Sequence, residues 1–154
     1  MKQLFAFVIA VFIPNSTLAQ TQEVAAPDEP VAAPITATID TNLNNFLWVA
    51  RPIIVFADSP ADPRFKKQMD LLAELPDELA LRDVVVITDT DPSADTPLRE
   101  ELRPRGFMLV LIGKDGTILL RKPIPWTVRE LTRSIDKLPA RQQEIRDRRD
   151  TTAQ

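Results

Sequence analysis

Two stretches of this 154-residue chain carry carboxylates and hydroxyls that could do chemistry: the turn Asp58-Ser59-Pro60-Ala61-Asp62-Pro63 and the segment Thr88-Asp89-Thr90-Asp91. Asp58, Asp89 and Asp91, if brought to one edge, offer the oxygen ligands that Mg²⁺ or Ca²⁺ take. Ser59 is a nucleophile only where a base activates it. The chain contains neither histidine nor cysteine. That excludes imidazole-bearing triads, thiol nucleophiles, disulfides, iron–sulfur clusters and thiolate or imidazole zinc sites. Lys66 and Lys67, the bases nearest in sequence, fall where a solvated helix face is expected. Turn formation and helix capping are therefore the stronger reading of Asp58, Ser59 and Asp62. Acidic residues after strands mostly serve loops in the same way, so no metal and no cofactor is assigned. A carboxylate- or metal-dependent enzyme built on the strand-end Asp cluster remains the alternative to a non-catalytic protein.

Trp48 and Arg51 form the other notable pair. Trp and Arg dominate interface hot spots, so they suit a partner-binding surface. The competing and favoured reading makes Trp48 a lid on the core with Arg51 stacked on it. The basic tail residues Arg141, Arg146, Arg148 and Arg149 are interleaved with Glu144, Asp147 and Asp150, so a solvated face is expected, with Glu144 and Arg148 at i,i+4 spacing. Formal charge is −3 and no basic patch carries interleaved aromatics, which argues against nucleic acid.

These residues need elements to position them. Ile53 to Ala57 and Val84 to Thr88 are continuous apolar runs rich in β-branched residues, the pattern of strands covered on both faces. Between them, Asp62 is a good N-cap and Pro63 fits the first helical position. Phe65, Met69 and Leu72 follow at helical spacing, and Pro76 ends or kinks that helix. Thr96-Pro97 starts a short helix that stops by Gly106. Phe107 to Ile112 and Thr117 to Arg121 read as strands joined by the hairpin turn Gly113-Lys114-Asp115-Gly116. The next helix has the fullest signature: Thr127 and Glu130 form a capping box, Trp126 and Leu131 a hydrophobic staple, and Val128, Leu131, Ile135 and Leu138 the buried stripe. Pro139 closes it. Two apolar strands joined through a helix imply a right-handed parallel crossover, and the closing hairpin must be antiparallel. The expected architecture is α/β, a four-stranded mixed sheet with helices on both faces.

At the N-terminus, Lys2, the apolar run Leu4 to Ile13 and the small-residue pattern Thr17-Leu18-Ala19 make up a secretory signal, with cleavage after Ala19. The run is too short to cross a bilayer, and no later one is longer, so stable membrane insertion after cleavage is not expected. Residues 20–38, rich in Ala, Pro, Thr and acids, read as a disordered or extended linker. A folded domain over 39–140 and a charged tail over 141–154 complete the organisation. The protein is expected to be extracytoplasmic, periplasmic or secreted.

The order of strands and helices resembles the thioredoxin fold. Trp48-x-x-Arg51, Phe56-Ala57-x-Ser59-x-x-Asp62-Pro63-Arg64 and Arg82-Asp83-Val84-Val85-Val86 resemble one family more closely. So do Gly106-Phe107, Leu111 to Gly116, and Ile135-Asp136-x-Leu138-Pro139-x-Arg141. That family is the domain-of-unknown-function family numbered 4174, and the resemblance spans roughly Leu43 to Arg146. It implies short secreted or periplasmic bacterial proteins, with related domains in animal extracellular-matrix and sushi-repeat proteins and an association with adhesion or matrix binding. It implies no active site. Where redox-active thioredoxin relatives carry two thiols, this chain has the Asp58–Pro63 turn, and Gly106 stands where their active-site proline precedes the third strand. Thiol exchange is thus excluded. The expected function is a binding or interaction module for an unknown protein or cell-envelope partner; an accessory of envelope redox machinery, docking through the old thioredoxin surface, is a further alternative.

Overall fold

The computed structural model describes residues 35–37 and 42–152. The signal segment 1–19 and most of the expected linker lie outside the described residues. The four expected strands are β2 (Arg51–Phe56), β3 (Val84–Asp89), β4 (Met108–Ile112) and β5 (Ile118–Lys122). A short strand, β1 (Ile35–Ala37), joins them at one edge, giving the order β1-β3-β2-β4-β5. β1 and β2 both run parallel to β3, while β4 is antiparallel to β2 and to β5. The linker reading thus stops short at residues 35–37. Their backbone pairs with Val86, Ile87 and Thr88, an unfilled sheet edge that can accept even a short extended segment.

β2 is the central strand, and every one of its residues is buried. Alternation along it divides the core in two. Ile53 and Val55 face the side covered by Leu72 of α1 (Pro63–Ala73), Leu79 of α2 (Pro76–Ala80), and Val128, Leu131 and Ile135 of α4 (Val128–Asp136). Ile54 and Phe56 face the other side, where Leu98 and Leu102 of α3 (Pro97–Leu102) close over Ile87, Val110 and Ile112. Strands covered on both faces must be apolar throughout, which is why β2 and β3 read as unbroken runs.

The caps sit where the residues place them. Asp62 Oδ1 accepts from the Arg64 amide at 2.7 Å, and Thr96 Oγ1 from the Arg99 amide at 3.2 Å. Thr127 and Glu130 make the complete capping box. Two prolines that close one helix also open the next. Pro76 opens α2 and Pro139 opens α5 (Pro139–Thr152), because a first-turn position needs no amide hydrogen and favours the fixed φ of proline. The last helix thus begins before the expected tail, at Pro139. Arg141 is buried and anchors α5 against the domain, so the structural unit runs past residue 140. Among the described residues no helix is long and apolar enough to cross a membrane.

Candidate binding groove

At the C-terminal ends of the parallel strands, the expected candidates come close in space without pooling their chemistry. The Ala57 amide donates to the Asp89 carbonyl at 3.0 Å, so the Asp58 turn and the end of β3 share one edge. The Asp89 side chain is nevertheless spoken for. It accepts from Thr96 Oγ1 at 2.6 Å and from Arg99 Nε at 2.8 Å, and Arg99 Nη2 reaches back to the Ala57 carbonyl at 2.8 Å. Asp91 accepts from the amide and hydroxyl of Ser93, and the hydroxyl contact, followed by the amide, lowers its pKa. The Arg64 side chain, then the Arg64 amide, lowers that of Asp62. Ser59 Oγ accepts from the Ala61 amide at 3.1 Å. Asp58 is exposed. Among the described residues no three acidic side chains converge as a metal cage would require. Capping and ion pairing account for Ser59, Asp62, Asp89 and Asp91.

Trp48 and Arg51 depart from expectation in opposite senses. Trp48 is not a lid: 76 % of it is exposed. It terminates a 3₁₀ turn (Leu43–Phe46) at φ 62°, a left-handed position usually left to Gly or Asn. Its amide donates to the Lys114 carbonyl at 2.7 Å, which ties that turn to the β4–β5 hairpin. Arg51, by contrast, is 1 % exposed and turns inward from the start of β2. Its Nη1 donates to the Arg82 carbonyl at 2.8 Å and its Nη2 to Glu144 Oε1 at 2.6 Å. No stacking of Arg51 on Trp48 occurs among the described residues. The backbone turn throws the indole outward, while Glu144 draws the guanidinium in.

A groove of about 590 Å³ opens between these two residues, at the pole opposite the Asp58 turn. Trp48, Leu119, Leu138, Pro139 and Ala140 supply its apolar sides, with Asp115 beside them. Arg51, Lys114 and Glu144 supply the charged part of its lining. The hairpin, β5, α5 and the turn before β2 all contribute, so the groove exists only in the folded chain.

Glu144 is the hub of the charged part. Besides Arg51, it is reached by Arg141 Nη1 at 3.1 Å and Lys114 Nζ at 3.5 Å. Burial acts to raise its pKa, but hydrogen bonds from Arg51 and Arg141 outweigh burial and hold the carboxyl below its ordinary value. Asp83, itself at φ 54°, takes Lys114 Nζ at 2.8 Å and lies 4.0 Å from Arg51 Nη1. The expected Glu144–Arg148 pair does not form, because Glu144 faces the domain while Arg148 is exposed. Lys114, Arg141 and Glu144 were not legible as site residues. A hairpin Lys and a charged tail carry no local sign that the fold will join them. A second hollow, about 540 Å³ on α5 by Ile145, Arg148, Arg149 and Thr152, contains no buried polar side chain.

The sheet order and its flanking helices define a thioredoxin-like protein. Chloroplastic thioredoxin z superposes with a TM-score of 0.53 at 18 % identity, over 73 % of this chain and 99 % of that one. Reduced Plasmodium vivax 2-Cys peroxiredoxin does so with a TM-score of 0.53 at 14 % identity, over 67 % and 85 %. At such identities the likeness concerns the fold alone. The profile of the family described as Domain of unknown function (DUF4174) matches residues 42–144, and the chain belongs to that family. A comparison with curated proteins finds no match.

Proposed function

We propose that this protein is a non-catalytic recognition module that works outside the cytoplasm, with the Trp48 groove as its binding surface. One observation carries the reading. A large aromatic side chain is held out in solvent by a left-handed backbone, beside a groove lined by a buried arginine. Such a backbone costs about 1–2 kcal/mol for a residue with a Cβ, so it is an expensive way to hold a side chain that touches nothing. Tryptophan beside arginine is also the composition of interface hot spots. The missing imidazole and thiol, and the prior commitments of Asp62, Asp89 and Asp91, weigh against chemistry at the opposite pole. Lys2, the apolar run that follows it and the Ala19 site support export.

The test is affinity capture from an envelope or secreted fraction with the wild-type domain and with Trp48→Ala in parallel. A partner retained by the wild type and lost by the folded variant is the expected result. Equal capture by both would remove the groove from the account.

A further inference from the structure

We propose that the groove is a carboxylate-recognition site which the chain's own last helix fills with Glu144, so that a partner's acidic group enters by displacing the part of α5 beyond Arg141. The proposal rests on the recognition reading above and adds the ligand's chemistry and its control. Three cations, Arg51, Lys114 and Arg141, converge on that one carboxylate from β2, the β4–β5 hairpin and α5. Withdrawing Glu144 leaves Arg51 and Lys114 with Asp83 and with Asp115 on the groove lining, and Arg141 with Asp136, already held by Arg82, 3.9 Å from its Nε. Donors outnumber acceptors even with Glu144 in place. The Nε–H groups of Arg51 and Arg141 are both buried and donate to no acceptor within hydrogen-bond distance. A site with surplus buried donors, short of one negative charge once Glu144 is withdrawn, is complementary to a carboxylate.

The present occupant is held in a way that lets it leave. Arg141 is the sole buried residue of α5, and most of the helix beyond it is exposed. Its ties to the rest of the domain are polar: Arg141 Nη2 to the Leu81 carbonyl at 2.9 Å, Gln142 Nε2 to the Asp136 carbonyl at 2.9 Å, and Glu144 itself. A helix with so little apolar burial detaches at lower cost than one packed into the core. The apolar sides formed by Trp48, Leu119 and Leu138 would then take the hydrophobic residue next to the incoming acid.

Calorimetric titration of the full chain tests this with three probes. They are N-acetyl-leucyl-glutamic acid α-amide, N-acetyl-alanyl-leucine with its terminal carboxylate free, and the neutral N-acetyl-leucyl-glutamine α-amide. Glu144→Gln should bind at least one acidic probe about tenfold more tightly than the wild type, since unlatching raises the competent fraction. Which acidic probe gains identifies a side-chain or a terminal carboxylate as the ligand. Glu144→Asp should behave like the wild type, and Lys114→Met placed in the Glu144→Gln chain should abolish the gain. Amide exchange across residues 143–152 should quicken in Glu144→Gln while that of β2 stays slow, which separates unlatching from unfolding. Equal affinity of wild type and Glu144→Gln for both acidic probes overturns the proposal, as does unchanged exchange in α5. Equal gain with the neutral probe overturns carboxylate recognition, yet leaves the recognition module standing if Trp48→Ala still loses its partner.

Discussion

Arg51 and Glu144 meet across 93 positions of chain, Nη2 to Oε1 at 2.6 Å, and so fasten the first residue of the central strand to the last helix. The guanidinium is 1 % exposed and the carboxylate 23 %. Removing the cation leaves Glu144 partly buried beside only Arg141 and Lys114, and removes the donor to the Arg82 carbonyl. Arg51→Met should therefore lower the unfolding free energy by about 2–4 kcal/mol, less than the full cost of breaking a completely buried pair. Arg51→Lys should recover only part of it, because one ammonium cannot span both acceptors as a planar fork does. Urea midpoints of the three chains decide the matter, and a midpoint unmoved in Arg51→Met would show the pair to be structurally idle.

Trp48 predicts the reverse relation between stability and binding. Its side chain is exposed and its backbone left-handed, so Trp48→Gly removes little packing and relieves an unfavourable φ. Stability should stay level or rise by up to about 1 kcal/mol, while partner capture is lost. A clear fall in melting temperature would mean that the indole packs in solution.

How much of this was legible follows from how local each signal is. β2 and β3 declare themselves because a strand covered on both faces has no polar position to spare. The Thr127–Glu130 box and the Thr96-Pro97 start are readable because cap and partner lie within one turn. Arg51 offers no comparable sign: the partner that draws it inward is Glu144, 93 positions away in another element, and not the neighbouring Trp48. Trp48 misleads for a related reason. A left-handed turn is ordinarily announced by Gly, so an aromatic residue there reads as core. The Asp cluster was placed correctly at one sheet edge, but its neutralisation by Arg99, ten positions from Asp89, was invisible. β1 was missed because Ile35-Thr36-Ala37 sits in a Pro- and Ala-rich stretch and forms a strand only by borrowing the β3 edge.

The capping box gives a calibrating measurement at a position remote from the groove. Thr127 Oγ1 accepts from the Glu130 amide at 3.3 Å, and Glu130 Oε2 accepts from the Thr127 amide at 2.8 Å. Thr127→Ala should cost about 1 kcal/mol in urea unfolding without altering partner capture.

Asp89 separates the ion-pair account of the strand-end acids from a metal site. Its carboxylate is engaged by Arg99 and Thr96, whose own exposure is small. Asp89→Asn should cost about 2–3 kcal/mol, since Arg99 loses its counter-charge in a nearly buried setting. Millimolar Ca²⁺ or Mg²⁺ should leave the melting temperature of the wild type unchanged. A rise on adding either ion would restore the carboxylate cluster as a ligand site.

Acid should weaken the same helix attachment that the groove depends on. Glu144 has a pKa held below its ordinary 4.5 in the folded chain, with Arg51, Arg141 and Lys114 facing it and Asp83 the nearby like charge. A carboxyl with a depressed folded pKa binds its proton more readily when unfolded. Its contribution is therefore fully present above the unfolded value and disappears as pH falls through the folded one. Asp62, Asp91, Asp115 and Glu130 are depressed as well, so acid lability of the whole domain does not single out Glu144. The difference between wild type and Glu144→Gln does. Gln cannot titrate, so the gap between their unfolding free energies at neutral pH should close at an acid pH below the folded-state pKa of Glu144. Urea unfolding of both chains at the two pH values measures it. A gap that persists in acid would mean that the Glu144 charge is not what holds α5 to Arg51.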